Sequence, residues 1–529
     1  MVVTFNINTV NTKTGFIQKL YNIFVFFAAS LFFGYVTVRM FFPVLKSKAL
    51  PLKGLEAFLI FFSSFLLIWA ADRFVIRKMG RRASIITISA LLASNVILQA
   101  LCLNNLAVAP SWDFGVIMNA AGDISAGHTI RYWKYFQEYP YNLYPAVYVG
   151  AFKTLLFGHA AAPYLLNILS VTASITGACL LTQRLYSRRA AVLAAFLCLA
   201  VTPFYLNIPI VYTDTLSMPF VIWTVYVWTY IRTGKGKPIL YCFILGMLSA
   251  LGFLIKQIAA IGFVAFVVDF MFCRKEYHTK TLTDKKTLLE KLSAVLPLAA
   301  SISAFVIILY SNTLCLGYMR FSNRVVVYDK LPYTHWLMMG MNTNYEEGGT
   351  SYGYGGFSAE DLKFTRLFTT TTAMKEANTA VMKTRLYRFG VIGYAKFLLK
   401  KAEWTWTDGA YFVPTKLARH PVKRTVFHKI VLTSTGKMNT LFRIFSQFVQ
   451  TIILSMILTG CIAALLKRTN NAFRLMVLMC LGLMVFLLFW ETRSRYLIFM
   501  LPVFVVMTVH GLLIAFSGLD RAAAYLRRK

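Results

Sequence analysis

The sequence predicts an all-α polytopic membrane protein of about 12 transmembrane helices, with a first outer loop and one large outer loop. Three observations predict it. Hydrophobic residues make up 58% of the 529 and charged residues only 14%, with a mean hydropathy of +0.61; soluble domains carry roughly a quarter charged residues. Apolar runs of about 20 residues, each long enough to cross a bilayer as a helix, recur along the chain. Basic residues collect in every second connection between those runs, which is the pattern of cytoplasmic loops.

In chain order, spans are predicted at 21–43, 54–71, 84–106, 162–183, 189–207, 215–231, 238–255, 257–272, 293–312, 445–466, 474–490 and 496–516. The first run lacks a small-residue cleavage site, so it reads as a span and not as a signal peptide. Arg73, Arg77 and Lys78 follow the second span, Arg184, Arg188 and Arg189 the fourth, Arg232, Lys235 and Lys237 the sixth, and Lys467, Arg468 and Arg474 the tenth. A longer basic connection, Arg274 to Lys291, follows the eighth, and Arg521 and Arg527 to Lys529 close the chain. Both termini are therefore expected in the cytoplasm of a multi-pass plasma-membrane protein. Lys46, Lys48 and Lys53 break the alternation, so the first two spans are less firmly placed. The stretch YPAVYVGAFKTLLFG (144–158) is too short to span and reads as an interfacial or re-entrant helix.

This order divides the chain into a two-span N-terminal extension (1–83), a transmembrane core (84–312), an outer loop region (313–444) and a three-span C-terminal part (445–529). The loop region is read as too polar to be membrane-embedded. The formal charge of +35 does not point to nucleic acid, because the cations lie between apolar runs and not on one soluble basic domain. The eight cysteines include no CxxC pair, so neither a disulfide framework nor a structural metal site is expected.

With 20 acids against 55 bases, the acids at predicted outer span ends stand out. Asp113 lies in SWDFGVIMNAAGD (111–123), just beyond the third span. Asp123, at the end of that stretch, reads as a solvated or capping residue. Asp214 lies in VTPFYLNIPIVYTDTLSMPF (201–220), where three prolines bend the backbone, and it also fits a helix N-cap. Lys256 sits in GFLIKQIAAIG (252–262) with almost no loop around it; a lysine there needs a partner, a bound anion or a path to the interface. Glu491, Arg493 and Arg495 open the last span in WETRSRYLIFMLP (490–502), where guanidinium forks suit phosphate oxygens or pair with the glutamate. The Gly- and Tyr-rich stretch 340–361, with Asn342, Tyr345, Glu346 and Glu347, suits an acceptor-binding or covering loop as well as a plain surface loop. Lys400, Lys401, Lys416, Arg419, Lys423 and Arg424 form a basic stretch that would attract an anionic acceptor or simply stay solvated.

Taken in order, several features resemble the GT-C superfamily of polyprenyl-phosphate-sugar-dependent glycosyltransferases. They are an acid in the first outer loop, Tyr144-Pro145, Tyr212-Thr-Asp214, Lys256-Gln257 and the run from Glu491 to Pro502. The likeness is to bacterial protein-mannosyltransferase-like and aminoarabinose-transferase-like membrane proteins, over roughly 84–312 and 445–502. It departs in two places: Asp113 is followed by Phe114 where protein mannosyltransferases carry Asp-Glu, and WTWTDGA (404–410) only echoes the Trp-Trp-Asp motif of oligosaccharyltransferases. The first departure weighs against a protein acceptor.

The resemblance implies a GT-C-like fold and transfer of a sugar from a polyprenyl phosphate to an extracytoplasmic cell-envelope acceptor: a glycan, a teichoic-acid-like polymer, a lipid or a protein. Asp113 is then the general base, with Asp214 second for base or acceptor positioning. Lys256, Arg493 and Arg495 meet the leaving phosphate, and Glu491 orients the arginines. Membrane lipids are the other partner. No cofactor is required, and a divalent cation bridging carboxylate and phosphate stays open. The rival expectation is a polytopic transporter or a lipid-linked glycan flippase or polymerase.

Overall fold

The computed structural model describes residues 15–45, 51–233, 237–273, 288–318, 329–343, 353–433, 436–467 and 471–526. Within them the chain is helical throughout, with a single isolated β-bridge between Val108 and Pro421. The first three helices are α1 (Phe16–Phe41), α2 (Gly54–Phe74) and α3 (Arg81–Asn105). Shorter helices α4 (Trp112–Ser125), α5 (Trp133–Glu138) and α6 (Leu143–Leu155) follow at the end of the bundle that holds Asp113. The chain continues through α7 (Ala162–Leu185), α8 (Arg188–Ala200), α9 (Pro203–Leu206), α10 (Thr213–Leu216), α11 (Met218–Thr233), α12 (Pro238–Ile255), α13 (Ile261–Phe272) and α14 (Leu288–Tyr318). The long polar region folds as α15 (Tyr333–Met339), α16 (Ala359–Thr365), α17 (Thr371–Trp406), α18 (Val413–Leu417) and α19 (Val426–Val431). It ends in α20 (Lys437–Lys467), α21 (Asn471–Phe489) and α22 (Leu501–Leu526).

Each of the twelve predicted spans lies on a helix. Nine helices among the described residues are long and apolar enough to cross a bilayer: α1, α2, α3, α7, α12, α14, α20, α21 and α22 with its leading 3₁₀ turn. α8 and α11 are shorter, because Ser187 caps α8 and Pro203 and Pro219 interrupt the runs on either side of Asp214. The run 257–272 is also short, being a 3₁₀ turn followed by α13. α22 is the central helix, with 89% of its apolar window buried against 11% for α2 and 17% for α3. Close approach of small residues sets its packing: a Cβ on Gly511 would lie 1.9 Å from the carbonyl oxygen of Met456 on α20.

The long polar region packs in part against a predicted span. α17 bends at Gly390 (φ 58), and its second half runs down beside α1. The Tyr35 hydroxyl donates to the Leu399 carbonyl (3.0 Å), and Glu403 accepts from the backbone N–H groups of Val44 and Leu45. Trp406 packs edge-on against Phe32 and Phe33 at 5.0 and 5.9 Å. Phe33 is eight residues inside the end of α1, which is roughly 12 Å at 1.5 Å per residue. Polar composition hid this because the charges of 396–403 reach outward or are bonded, while Val391 and Ile392 are exposed apolar surface.

At the other end of the bundle, acids hold the basic connections. Asp72 is fully buried and bonded to Arg77 (2.9 Å) and Arg189, Asp520 to Arg77 and Trp69, and Asp269 to Arg474 (2.7 Å). Arg474, read above as a loop charge, is buried.

Candidate active site

The site is built where four helix ends lose their regular backbone. α4 begins at Trp112, a residue with φ 46, and Asp113 occupies its first turn, where a carboxylate meets the positive end of the helix dipole. The proline-broken segment before α10 leaves carbonyls without helical partners. Asn167 on α7 donates to three of them, those of Asn207, Ile208 and Ile210. That irregular turn presents Tyr212 and Asp214. Lys256 is extended (φ −151, ψ 108) and separates α12 from the next 3₁₀ turn, so its side chain leaves the helix axis. Residues 490–493 leave the helix as irregular backbone, with Arg493 extended (φ −150, ψ 155). The Glu491 N–H donates to Trp336 O (3.1 Å) and the Thr492 N–H to Gly355 O (2.7 Å), while Lys401 Nζ donates to Trp490 O and Gly340 O.

These ends enclose a cavity of about 750 Å³ lined by Asp113, Lys256, Glu491, Arg493 and Arg495, together with Lys416 and Arg419. Its walls are aromatic. Trp336 and Trp490 stack at 5.6 Å, and Tyr139, Tyr141 and Tyr212 complete the lining. The Tyr-Pro unit of the cavity is Tyr139-Pro140-Tyr141; Tyr144 and Pro145 enter α6, where Tyr144 stacks on Tyr148.

Asp113 is held by a phenol: Tyr212 Oη donates to Asp113 Oδ2 at 3.2 Å. Tyr135, which accepts from Asn142 Nδ2 (2.6 Å), stands near enough to feel the Asp113 charge. Asp214 is not an N-cap, since that position belongs to Tyr212. It is 1% exposed, with Lys256 Nζ at 2.5 Å, Lys416 Nζ at 3.0 Å and Arg495 Nη1 at 3.8 Å. Burial alone would raise its pKa, but the attraction of Lys256, Lys416 and Arg495 is larger and holds it well below the usual carboxylate range. Burial depresses both lysines, and Lys416 comes down to about 8. Arg495 lies over the rings of Trp112, Tyr212 and Tyr496, and Arg493 over Phe412. Tyr496 accepts from Arg495 Nη2 (3.4 Å), and burial pushes the Glu491 carboxyl upward.

The structure therefore brings Asp113, Asp214, Lys256, Glu491, Arg493 and Arg495 together and revises other expectations. Asn342 does not line the cavity; it is buried and donates to Asp361 (2.9 Å). Tyr345, Glu346 and Glu347 lie outside the described residues. Gly340 and Gly355 of that stretch serve close packing, since a Cβ on either would fall 2.4 Å from a carbonyl oxygen. Lys401 and Lys416 are buried and not part of a solvated basic patch. Asp123 is buried too, and accepts from the backbone and side chain of Arg131. Sequence reasoning missed Lys416 as a site residue, since no local pattern separates it from its solvated neighbours. Tyr212 stood beside Asp214 in a quoted motif and was the available signal. Among the described residues no group of three His, Cys, Asp or Glu side chains could hold a metal ion. The cavity's donor set, in which lysine and arginine outnumber carboxylates, fits an anion better than a divalent cation.

A family model described as a conserved hypothetical integral membrane protein matches residues 9–513. Comparison with curated proteins gives no match. Among solved structures the chain is similar to the Archaeoglobus fulgidus oligosaccharyltransferase, determined with zinc and sulfate. Identity is 14% and the TM-score 0.40, over 82% of this chain and 50% of that one. The chain thus spans about half the length of that enzyme. It is also similar to ArnT from Cupriavidus metallidurans bound to undecaprenyl phosphate, at 13% identity and TM-score 0.32, over 80% of this chain and 77% of that one. Both likenesses are weak, and the roles of the residues are read from this cavity alone.

Proposed function

The chain belongs to the family of conserved hypothetical integral membrane proteins, and from that membrane setting we propose that it is a glycosyltransferase moving a sugar from a polyprenyl phosphate to an extracytoplasmic cell-envelope acceptor. One observation carries the reading: a carboxylate that accepts from the Tyr212 hydroxyl shares a cavity with buried cations gathered on Asp214. Such a cluster calls for a bound anion.

In this reading the acceptor hydroxyl gives its proton to Asp113 as its oxygen attacks the anomeric carbon. The bond from that carbon to the phosphate oxygen breaks, and its electron pair stays on the departing polyprenyl phosphate. Charge on that phosphate grows as the bond breaks, and Lys256, Lys416 and Arg495 are already in place to meet it. Asp214 is the counter-ion that keeps the three cations together. Its depressed pKa makes it a poor proton acceptor, which leaves the base role to Asp113. Tyr212 joins the two halves: its hydroxyl aims Asp113 while its ring faces Arg495 and Lys416. Glu491 orients Arg495 by the attraction of opposite charges. A single displacement of this kind inverts the anomeric carbon.

The test is a reconstituted assay with purified protein, labelled polyprenyl-phosphate sugars and cell-envelope fractions. Asp113→Asn is expected to insert normally and to lose roughly 100- to 10,000-fold in transfer rate. Arg495→Ala is expected to raise the donor concentration needed for half-maximal rate. Undiminished transfer by Asp113→Asn removes it as base. Sugar-lipid movement across the liposome without any transfer would replace the reading with transport.

A further inference from the structure

We propose that Asp408 is a positioning residue for the phosphate-binding cations, fastening the loop that delivers Lys416 to the backbone that delivers Arg493 and Arg495. The inference rests on the reading of those cations given above.

α17 ends at Trp406 deep beside α1, and the chain must turn there and climb back to the cavity within a few residues. It does so through Thr407–Phe412. Tyr411 and Phe412 both take left-handed backbone (φ 54 and 62), a conformation that L-residues with side chains adopt in succession only when the surroundings hold them. Gly409 is pressed onto α20, where a Cβ would lie 2.1 Å from the Ser446 carbonyl oxygen. Tyr411 Oη donates to Gln450 Oε1 (2.6 Å), and Gln450 Nε2 donates back to Trp406 O (2.7 Å). Backbone this irregular is tolerated at such depth only where it is bonded internally or faces a cavity.

Asp408 supplies the remaining bonds. Its Oδ1 accepts from the Ala410 N–H (3.1 Å), and its Oδ2 accepts from the Phe412 N–H (2.9 Å) and from Ser494 Oγ (2.6 Å). The first two bonds set the loop. The third leaves it for another part of the chain: Ser494 lies between Arg493 and Arg495 at the start of the last helix. From the loop side, Phe412 lies under the Arg493 guanidinium at 4.6 Å, and Lys416 reaches Asp214. One carboxylate thus bonds both segments that carry cations into the cavity. A carboxylate can accept at both oxygens, whereas an amide of the same shape accepts at one and turns N–H toward N–H at the other. The role therefore calls for Asp, and it gives the WTWTDGA motif a function of position without substrate contact.

The experiment uses the full chain in nanodiscs and farnesyl phosphate as the probe, with binding measured by calorimetry. Asp408→Asn is expected to weaken binding about tenfold, and Ser494→Ala, which removes only the bond between the segments, severalfold. The double variant should be no weaker than Asp408→Asn alone, because both act through one bond. Thr425→Ala, in the same region but outside the site, should bind as the unaltered chain does. Mass-spectrometric labelling of lysines without any ligand gives a second readout: Lys416 should acetylate faster in Ser494→Ala. Unchanged affinity and unchanged Lys416 labelling in both variants would overturn the proposal. If Lys256→Ala and Arg495→Ala bind the probe as well as the unaltered chain does, the phosphate reading fails instead. Lys416 labelling then still decides the role of Asp408.

Discussion

Asp113 and Asp214 are the same residue type at similar predicted depth, yet their surroundings separate them. Asp113 meets a hydroxyl donor and open cavity, which leaves its oxygens free to approach a substrate hydroxyl. Asp214 meets two ammonium groups and a guanidinium, which hold its charge in place. The difference could not be read locally, because Lys416 arrives from 202 residues away. Lys416 also carries a pH prediction. Burial, with repulsion from Arg495 and Lys256, outweighs the attraction of Asp214 and lowers its pKa to about 8. The cation is therefore present below that pH and is lost as pH rises through it. Farnesyl phosphate affinity should fall as pH rises through about 8, above the range where the probe's own phosphate loses its second proton, at about pH 6. Lys416→Arg should flatten the profile, since a guanidinium keeps its proton. An identical fall in Lys416→Arg would assign the titration to another group.

Among the elements, the helices that composition could find are those whose whole length faces lipid or core. The apolar run that became α20 is an example: about 20 apolar residues leave a helix as the way to satisfy the backbone in a bilayer. α17 is the counter-example. Its second half descends beside α1 while carrying Lys396, Lys400, Lys401 and Glu403, so averaged hydropathy places it in water. What holds it against its neighbours is pairwise: Glu403 on the backbone just past α1, and Lys401 on two carbonyls. Central packing gives a prediction at this scale. Gly511→Ala should push α22 from α20, because the added methyl meets a backbone carbonyl that has no rotamer to escape with. A loss of about 1–3 kcal/mol in detergent unfolding is expected. Stability equal to the unaltered chain would show that the two helices part at little cost.

For the whole molecule, charge is distributed between two ends of one helical bundle. One end holds the cavity. The other holds Arg77, Arg189 and Arg474 against the buried acids Asp72 and Asp269, so the cations that mark orientation also fasten helix ends. The proposed reaction needs the cavity outside the cell, and this is measurable. In a variant lacking native cysteines, Ala380→Cys, exposed on the first half of α17, should react with a membrane-impermeant maleimide in intact cells. Arg82→Cys should react only after permeabilisation. The reverse pattern would turn the molecule over and place the cavity in the cytoplasm.

The sequence by itself determined the helical class, the course of the twelve apolar segments and six polar positions that the fold brings together, five of them lining the cavity and Asp214 bonded to its cations. Hydropathy is a property of short windows, and the cost of placing charge in lipid marks such positions one at a time. Only the tertiary structure decided which carboxylate is restrained by cations and which is left open. It alone brought in Lys416 and Tyr135, removed Asn342, and gave Asp408 its two attachments. Those outcomes depend on contacts between segments far apart in the chain, and a buried charge has no assigned role until its partner is known.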